Sequence, residues 1–148
     1  MAYKGYFRPK HPEKYKGDPN NIIYRSRWEL KLMAHLDDHP DVIQWSSEEF
    51  FIPYKSPVDG RWHRYFPDFY VKKRTKDGQF QIQIIEVKPA YQTVPPVIQE
   101  TKKPSRKYIN EVMTWGINSA KWKAAREYCA DRNWIFNIFT EKELGITF

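Results

Sequence analysis

Asp68 sits behind a proline in the run Phe66-Pro67-Asp68-Phe69, and Glu86 and Lys88 follow in Ile85-Glu86-Val87-Lys88. In an extended strand alternate side chains point to the same side, so Glu86 and Lys88 share one face of a sheet. Asp68, arriving from a neighbouring strand, can converge there with Glu86 on a divalent cation, leaving the Lys88 ammonium beside a reacting phosphate. This set suits phosphodiester hydrolysis, which needs an activated water, neutralisation of growing negative charge and help for the leaving oxygen. Mg²⁺ or Mn²⁺ supplies much of this, and Mg²⁺ is held by one or two carboxylates while it keeps several waters. Two carboxylates held together also repel unless a cation sits between them. Asp68 and Glu86 are the expected ligands, with the main-chain carbonyl of Val87 as a third. Lys88 orients or deprotonates water, or stabilises charge; the sequence leaves these roles open. Taken alone, Glu86-Val87-Lys88 reads equally as an exposed cross-strand pair. Pro67-Asp68, the Asp77-Gly78 turn and the apolar lead-in Ile82-Gln83-Ile84-Ile85 weigh against that simpler account.

The elements that must position these groups are legible as periods. Residues 21–39 are expected to be helical: Trp28, Leu32 and Leu36 recur at four-residue spacing and Pro40 ends the run. Three strands are expected at Gln44–Tyr54, Trp62–Lys72 and Phe80–Lys88, with Asp59-Gly60 and Asp77-Gly78 as tight turns between them. Residues 89–104, with Pro89, Pro95, Pro96, Pro104 and Lys102-Lys103, form a long basic Pro-rich loop. Helices at about 106–115 and from Ser119 to Arg132 precede a closing strand at Trp134–Thr140. Residues 1–20, rich in Lys, Pro, Tyr and Gly, read as an irregular basic arm. The order predicts one α/β domain over residues 1–148: an antiparallel three-strand meander and a C-terminal strand make a central mixed sheet flanked by helices.

Bulk properties agree with a polyanionic partner. The chain has 148 residues, enough to bury roughly two-thirds of its unfolded surface. Its 25 Lys and Arg against 18 Asp and Glu give a net charge of +7, which favours nucleic acid by attraction and counterion release. Aromatics lie beside bases in Arg27-Trp28, Arg61-Trp62, Arg64-Tyr65 and Lys121-Trp122-Lys123, a pattern shared by stacking surfaces and by ordinary cores with snorkelling neighbours. Arg25, Arg27, Arg64, Lys121 and Lys123 are the candidate phosphate contacts, and Glu48 and Gln83 are candidates to support the acids. One cysteine, Cys129, excludes an intrachain disulfide and reads as packing. A signal peptide and a ~20-residue apolar span are both missing from the pattern. His35 and His39 are four apart, but no glutamate follows His35 and no other cluster completes a zinc site. No Gly-rich phosphate loop points to a nucleotide-driven motor.

A helix bearing Glu29, a hairpin ending in Pro67-Asp68 and a strand ending Glu86-Val87-Lys88 together resemble the PD-(D/E)xK nuclease superfamily. Within it, Tyr24-Arg25-Ser26-Arg27-Trp28-Glu29, Tyr65-Phe66-Pro67-Asp68 and Ile84-Ile85-Glu86-Val87-Lys88-Pro89 look like the TnsA-type endonuclease domain. The N-terminal arm, Trp45-Ser46-Ser47-Glu48, the Pro-rich loop, Thr114-Trp115 and Lys121-Trp122-Lys123-Ala124-Ala125 resemble the head-completion nucleases of large tailed phages over nearly the whole chain. That resemblance implies a restriction-endonuclease-like core and Mg²⁺- or Mn²⁺-dependent DNA cleavage. It also implies work on phage DNA ends beside head or portal proteins, in the host cytoplasm or the virion. It makes Glu29 a third acid of the site and a metal ligand. The residues alone leave another account open, because Ser26-Arg27-Trp28-Glu29 has the form of a capping box. Two rivals in function stay open as well. One is a non-catalytic virion protein binding DNA ends or the portal; the other is a transposition or restriction endonuclease subunit. Whether two copies pair is not legible.

Overall fold

In the computed structural model, which describes residues 4–98, 100 and 103–144, four strands form a mixed sheet in the order β3 (Val42–Ser47), β6 (Phe69–Arg74), β7 (Phe80–Val87), β8 (Ile135–Phe139). The first three run antiparallel, and β8 lies parallel to β7 with Glu86 opposite Ile138. The restriction-endonuclease-like α/β expectation holds, with one helix on each face. A sheet covered on both faces explains why consecutive residues Gln83–Glu86 of β7 are all buried, whichever face they turn to.

Helix α1 (Arg27–Asp38) packs Leu32, Met33 and Leu36 onto Trp45, Phe69, Val71 and Ile85. It starts six residues later than expected. Ser26 caps it by accepting the Glu29 amide, while Ile23–Tyr24 form β2, which pairs with β1 (Gly5–Tyr6). Tertiary pairing here overrides a weak helical period. The N-terminal arm is therefore not irregular throughout. Tyr15 is buried, the Lys10 and His11 amides donate to the buried Asp37 carboxylate, and Lys14 Nζ donates to the carbonyls of Asp37 and His39. Its first three residues, and Lys102 of the Pro-rich loop, lie outside the described residues.

Two of the expected strands split. After Ser47 the chain turns at Glu48, whose φ of 54° is left-handed, and restarts as β4 (Ile52–Lys55) in a separate two-stranded sheet. Its partner is β5 (Trp62–Tyr65), and Phe66-Pro67-Asp68 breaks the pairing before β6 begins. Pro67 has no N–H to give a ladder, so it ends the hairpin and delivers Asp68 to the sheet edge.

The two expected C-terminal helices are one, α2 (Arg106–Arg132), about 40 Å long at 1.5 Å per residue. Gly116 does not interrupt it. A methyl group there would meet Pro57 at 3.7 Å, an ordinary van der Waals contact, so no close approach demands glycine, and the packing of the rest of the helix carries it through at a cost of ~1 kcal/mol. Asn133 ends α2 in the left-handed conformation that asparagine tolerates. Trp122, Ala125 and Cys129 face the sheet and the β4–β5 hairpin. The Pro-rich loop opens with a short 3-10 turn at Ala90–Thr93. Among the described residues, no helix is long and apolar enough to cross a membrane.

Candidate active site

Asp68 and Glu86 meet where β6 begins and β7 ends. Phe69 and Ile85 are register partners and point to the α1 side, so their neighbours Asp68 and Glu86 turn to the other side, under α2. The two acids are near enough that the negative charge of Glu86 acts directly on the Asp68 carboxyl. Asp68 Oδ2 also accepts the Val87 amide at 2.7 Å, which ties the acid to the adjacent strand. Burial pushes the Asp68 carboxyl well above its ordinary range, and the negative charges of Glu86 and Glu29 push it further.

Glu86 is only 5% exposed. Its Oε2 accepts Trp122 Nε1–H at 3.2 Å, a buried bond between β7 and α2. Tyr65, 3% exposed, brings its buried hydroxyl against the same acids. Burial raises that hydroxyl's pKa first, and the charges of Glu86 and Asp68 raise it further. Trp122 and Tyr65 were not read from the sequence as parts of the site. The available signal was that a buried indole N–H needs an acceptor, and the core of this chain holds few.

Glu29 is half-buried in the first turn of α1 and serves both accounts given above. Its carboxylate accepts the Arg25 amide at 3.1 Å, one residue outside the usual capping-box donor. Burial raises its pKa against the pull of that amide, and Glu48 and Glu86 add negative charge. It acts on the acid pair through space: among the described residues, no three Asp, Glu, His or Cys side chains come together closely enough to hold an ion. The pair nevertheless fits a hard cation. A buried Glu86 beside a half-buried Asp68, with no Lys or Arg side chain among the described residues ion-paired to either acid, makes a negative pocket that a cation would complete. Mg²⁺ needs no more than one or two carboxylates when substrate phosphates join them. Replacing Glu29 with glutamine is expected to remove Mg²⁺-dependent DNA cleavage and to move the melting temperature by less than about 3 °C, since a capping interaction contributes ~1 kcal/mol. Retained cleavage with a larger fall in melting temperature would leave Glu29 as a cap alone.

Lys88 lies just past β7, half-buried, its amide bonded to the Phe139 carbonyl at 3.0 Å. The candidate phosphate contacts scatter. Arg25 forms an ion pair with Glu48, while Arg27 is exposed on the first turn of α1. Arg64 lies over the Phe51 ring on the outside of the hairpin. Lys121 lies over the rings of Tyr54 and Tyr65, whereas Lys123 is exposed about 200° further round α2. Gln83 is buried but on the α1 side, away from Glu86.

A helix-flanked mixed sheet with an acid pair at the end of two central strands is the arrangement of an endonuclease domain, and the chain belongs to the TnsA-like endonuclease N-terminal family, which matches residues 39–141. Asp68, Glu86 and Lys88 fall inside that segment and Glu29 outside it. The chain is also 41% identical over 146 residues to the head completion nuclease of Enterobacteria phage T4, covering 97% of this chain and 95% of that protein.

Proposed function

We propose that this chain is a metal-dependent DNA endonuclease that acts on phage DNA ends as heads are completed, next to head or portal proteins. The observation that carries the chemistry is the placing of a buried Glu86 beside a half-buried Asp68 where β6 begins and β7 ends, two neighbouring acids that a core has no use for. Asp68 and Glu86, with the Val87 carbonyl, would hold Mg²⁺ or Mn²⁺, and Glu29 would add its negative charge from the first turn of α1. When bound, such a cation polarises a phosphoryl oxygen and lowers the pKa of water. The protein's own part is to fix the acids. Trp122 Nε1–H holds one Glu86 oxygen and the Val87 amide holds one Asp68 oxygen, leaving the remaining oxygens for ligand. Lys88, on the Glu86 side of the strand, sets positive charge against the negative charge that grows on the phosphate. The net charge of +7 draws DNA to this surface, and the name of the T4 relative points to head completion as the setting.

Supercoiled plasmid incubated with the protein in Mg²⁺ is expected to relax and then linearise, and to stay intact in EDTA or with Asp68→Ala. Relaxation by the alanine variant would end the assignment of the site. Intact plasmid under every condition would favour the non-catalytic DNA-end-binding protein instead.

A further inference from the structure

The β4–β5 hairpin has two unlike faces. Ile52, Tyr54 and Tyr65 turn inward onto α2, where they are buried. The alternate positions turn outward: Pro53 opposite Arg64, Lys55 opposite Trp62, with Phe51 and Phe66 flanking the ladder. On this outer side Trp62 is 71% exposed, Phe66 45% and Phe51 43%. Three large aromatic rings in water on one short ribbon are not explained by packing. The Phe51 and Phe66 rings contact each other, with centroids 5.8 Å apart, and the Arg64 guanidinium covers Phe51 at 4.9 Å. Lys55 and Arg64 are the charged residues of these two strands, and neither strand carries a carboxylate.

We infer that the outer face of β4–β5 is a stacking platform for unpaired nucleobases, so that the preferred substrate carries a single-stranded stretch beside the scissile phosphate. The inference rests on the nuclease reading above and names the substrate class for that same site. Stacked aromatic rings with interleaved cations hold single strands because every base has a π face, whereas a duplex hides those faces and offers only its backbone and groove edges. Placement supplies the rest. Trp62 to Phe66 spans about 13 Å of strand. Phe66 is two residues from Asp68, at most about 7 Å between their Cα atoms, so a base resting on Phe66 lies near the acid pair. The rigid, buried Pro67 fixes that approach.

The test is equilibrium binding, read by fluorescence anisotropy. It uses the full chain carrying Glu86→Gln, in EDTA so that no cutting occurs, with a labelled single-stranded oligonucleotide and a duplex of the same length. Adding Trp62→Ala and Phe66→Ala is expected to weaken single-strand binding about 25-fold or more, taking about fivefold per lost stacked base, and duplex binding less than threefold. Trp62→Phe with Phe66→Tyr is expected to restore most of the single-strand affinity. Equal losses on both DNAs would overturn the platform. So would unchanged affinity, which would leave the aromatic face to a protein partner. Because binding is read without catalysis, a protein that fails to cut plasmid can still bear the platform out, and the two readings fail separately.

Discussion

Glu86→Gln is expected to slow plasmid cleavage by about 1,000-fold or more at saturating Mg²⁺, with DNA binding held within a few-fold. The magnitude follows from the several kcal/mol that metal-borne charge stabilisation contributes to a hydrolytic transition state, at 1.36 kcal/mol per tenfold in rate. The variant should remain folded. Glutamine matches glutamate in size, its side-chain oxygen can still accept the Trp122 indole N–H, and the repulsion between Glu86 and Asp68 disappears. Its melting temperature in EDTA is therefore expected to equal or exceed that of the parent. Loss of cleavage together with a collapsed melting temperature would show that Glu86 holds the fold and leave its chemistry without support. Cleavage within tenfold of the parent would remove Glu86 from the site.

The second large effect links metal, pH and stability. Asp68 takes up a proton more readily in the folded chain than its ordinary value of 3.8, because it is buried beside Glu86. Glu29 is raised in the same direction. Above about pH 4 the unfolded chain has lost those protons while the folded chain keeps them, so the folded state binds more protons and stability falls as pH rises. The decline runs from about pH 4 up to the point where Asp68 ionises in the folded protein. Mg²⁺ opposes it by stabilising the ionised pair, so its effect grows with pH. In thermal melts the gap between Mg²⁺ and EDTA is expected to widen over this range to several degrees, since ~1 kcal/mol moves the midpoint of a chain this size by about 2–4 °C. Asp68→Asn should remove most of the gap and flatten the EDTA curve. Asp59, Asp77 and Glu143 are shifted downward by hydrogen bonds and act oppositely, but they are common to both proteins and cancel in the comparison. A parent and an Asp68→Asn variant with parallel EDTA curves and equal Mg²⁺ responses would count against a cation at this pair.

Much of this site is written in local sequence. Alternation along Phe80–Val87 is enough to set Glu86 and Lys88 on one face, and Pro67 announces the break that delivers Asp68. Ser26 marks the start of α1 through its cap, even though the hydrophobic period ran past it into residues that pair as strand. What stayed hidden depends on contacts distant along the chain. Trp122 reads as one apolar residue among several on its helix, and nothing local says that its ring nitrogen reaches a glutamate 36 positions earlier. The single turn residue Glu48 likewise gives no warning that one apolar run will divide between two sheets, since a left-handed glutamate leaves no compositional trace of the kind glycine leaves. Gly116 misleads in the other direction: it reads as a helix break, yet α2 runs through it on the packing of its neighbours.

The clasp that the Lys10 and His11 amides make on Asp37 bears on where this domain can be cut. The segment that matches the family begins at residue 39, yet a fragment trimmed there would shed α1, Tyr15 and the β1–β2 ribbon. Trp45, Val71 and Ile85 would then lie wet on one side of the sheet, and the fragment would be prone to clump rather than fold. The smallest autonomous unit therefore starts no later than Gly5, and engineering of the boundaries should treat residues 5–24 as cladding for the sheet, not as a dispensable tail.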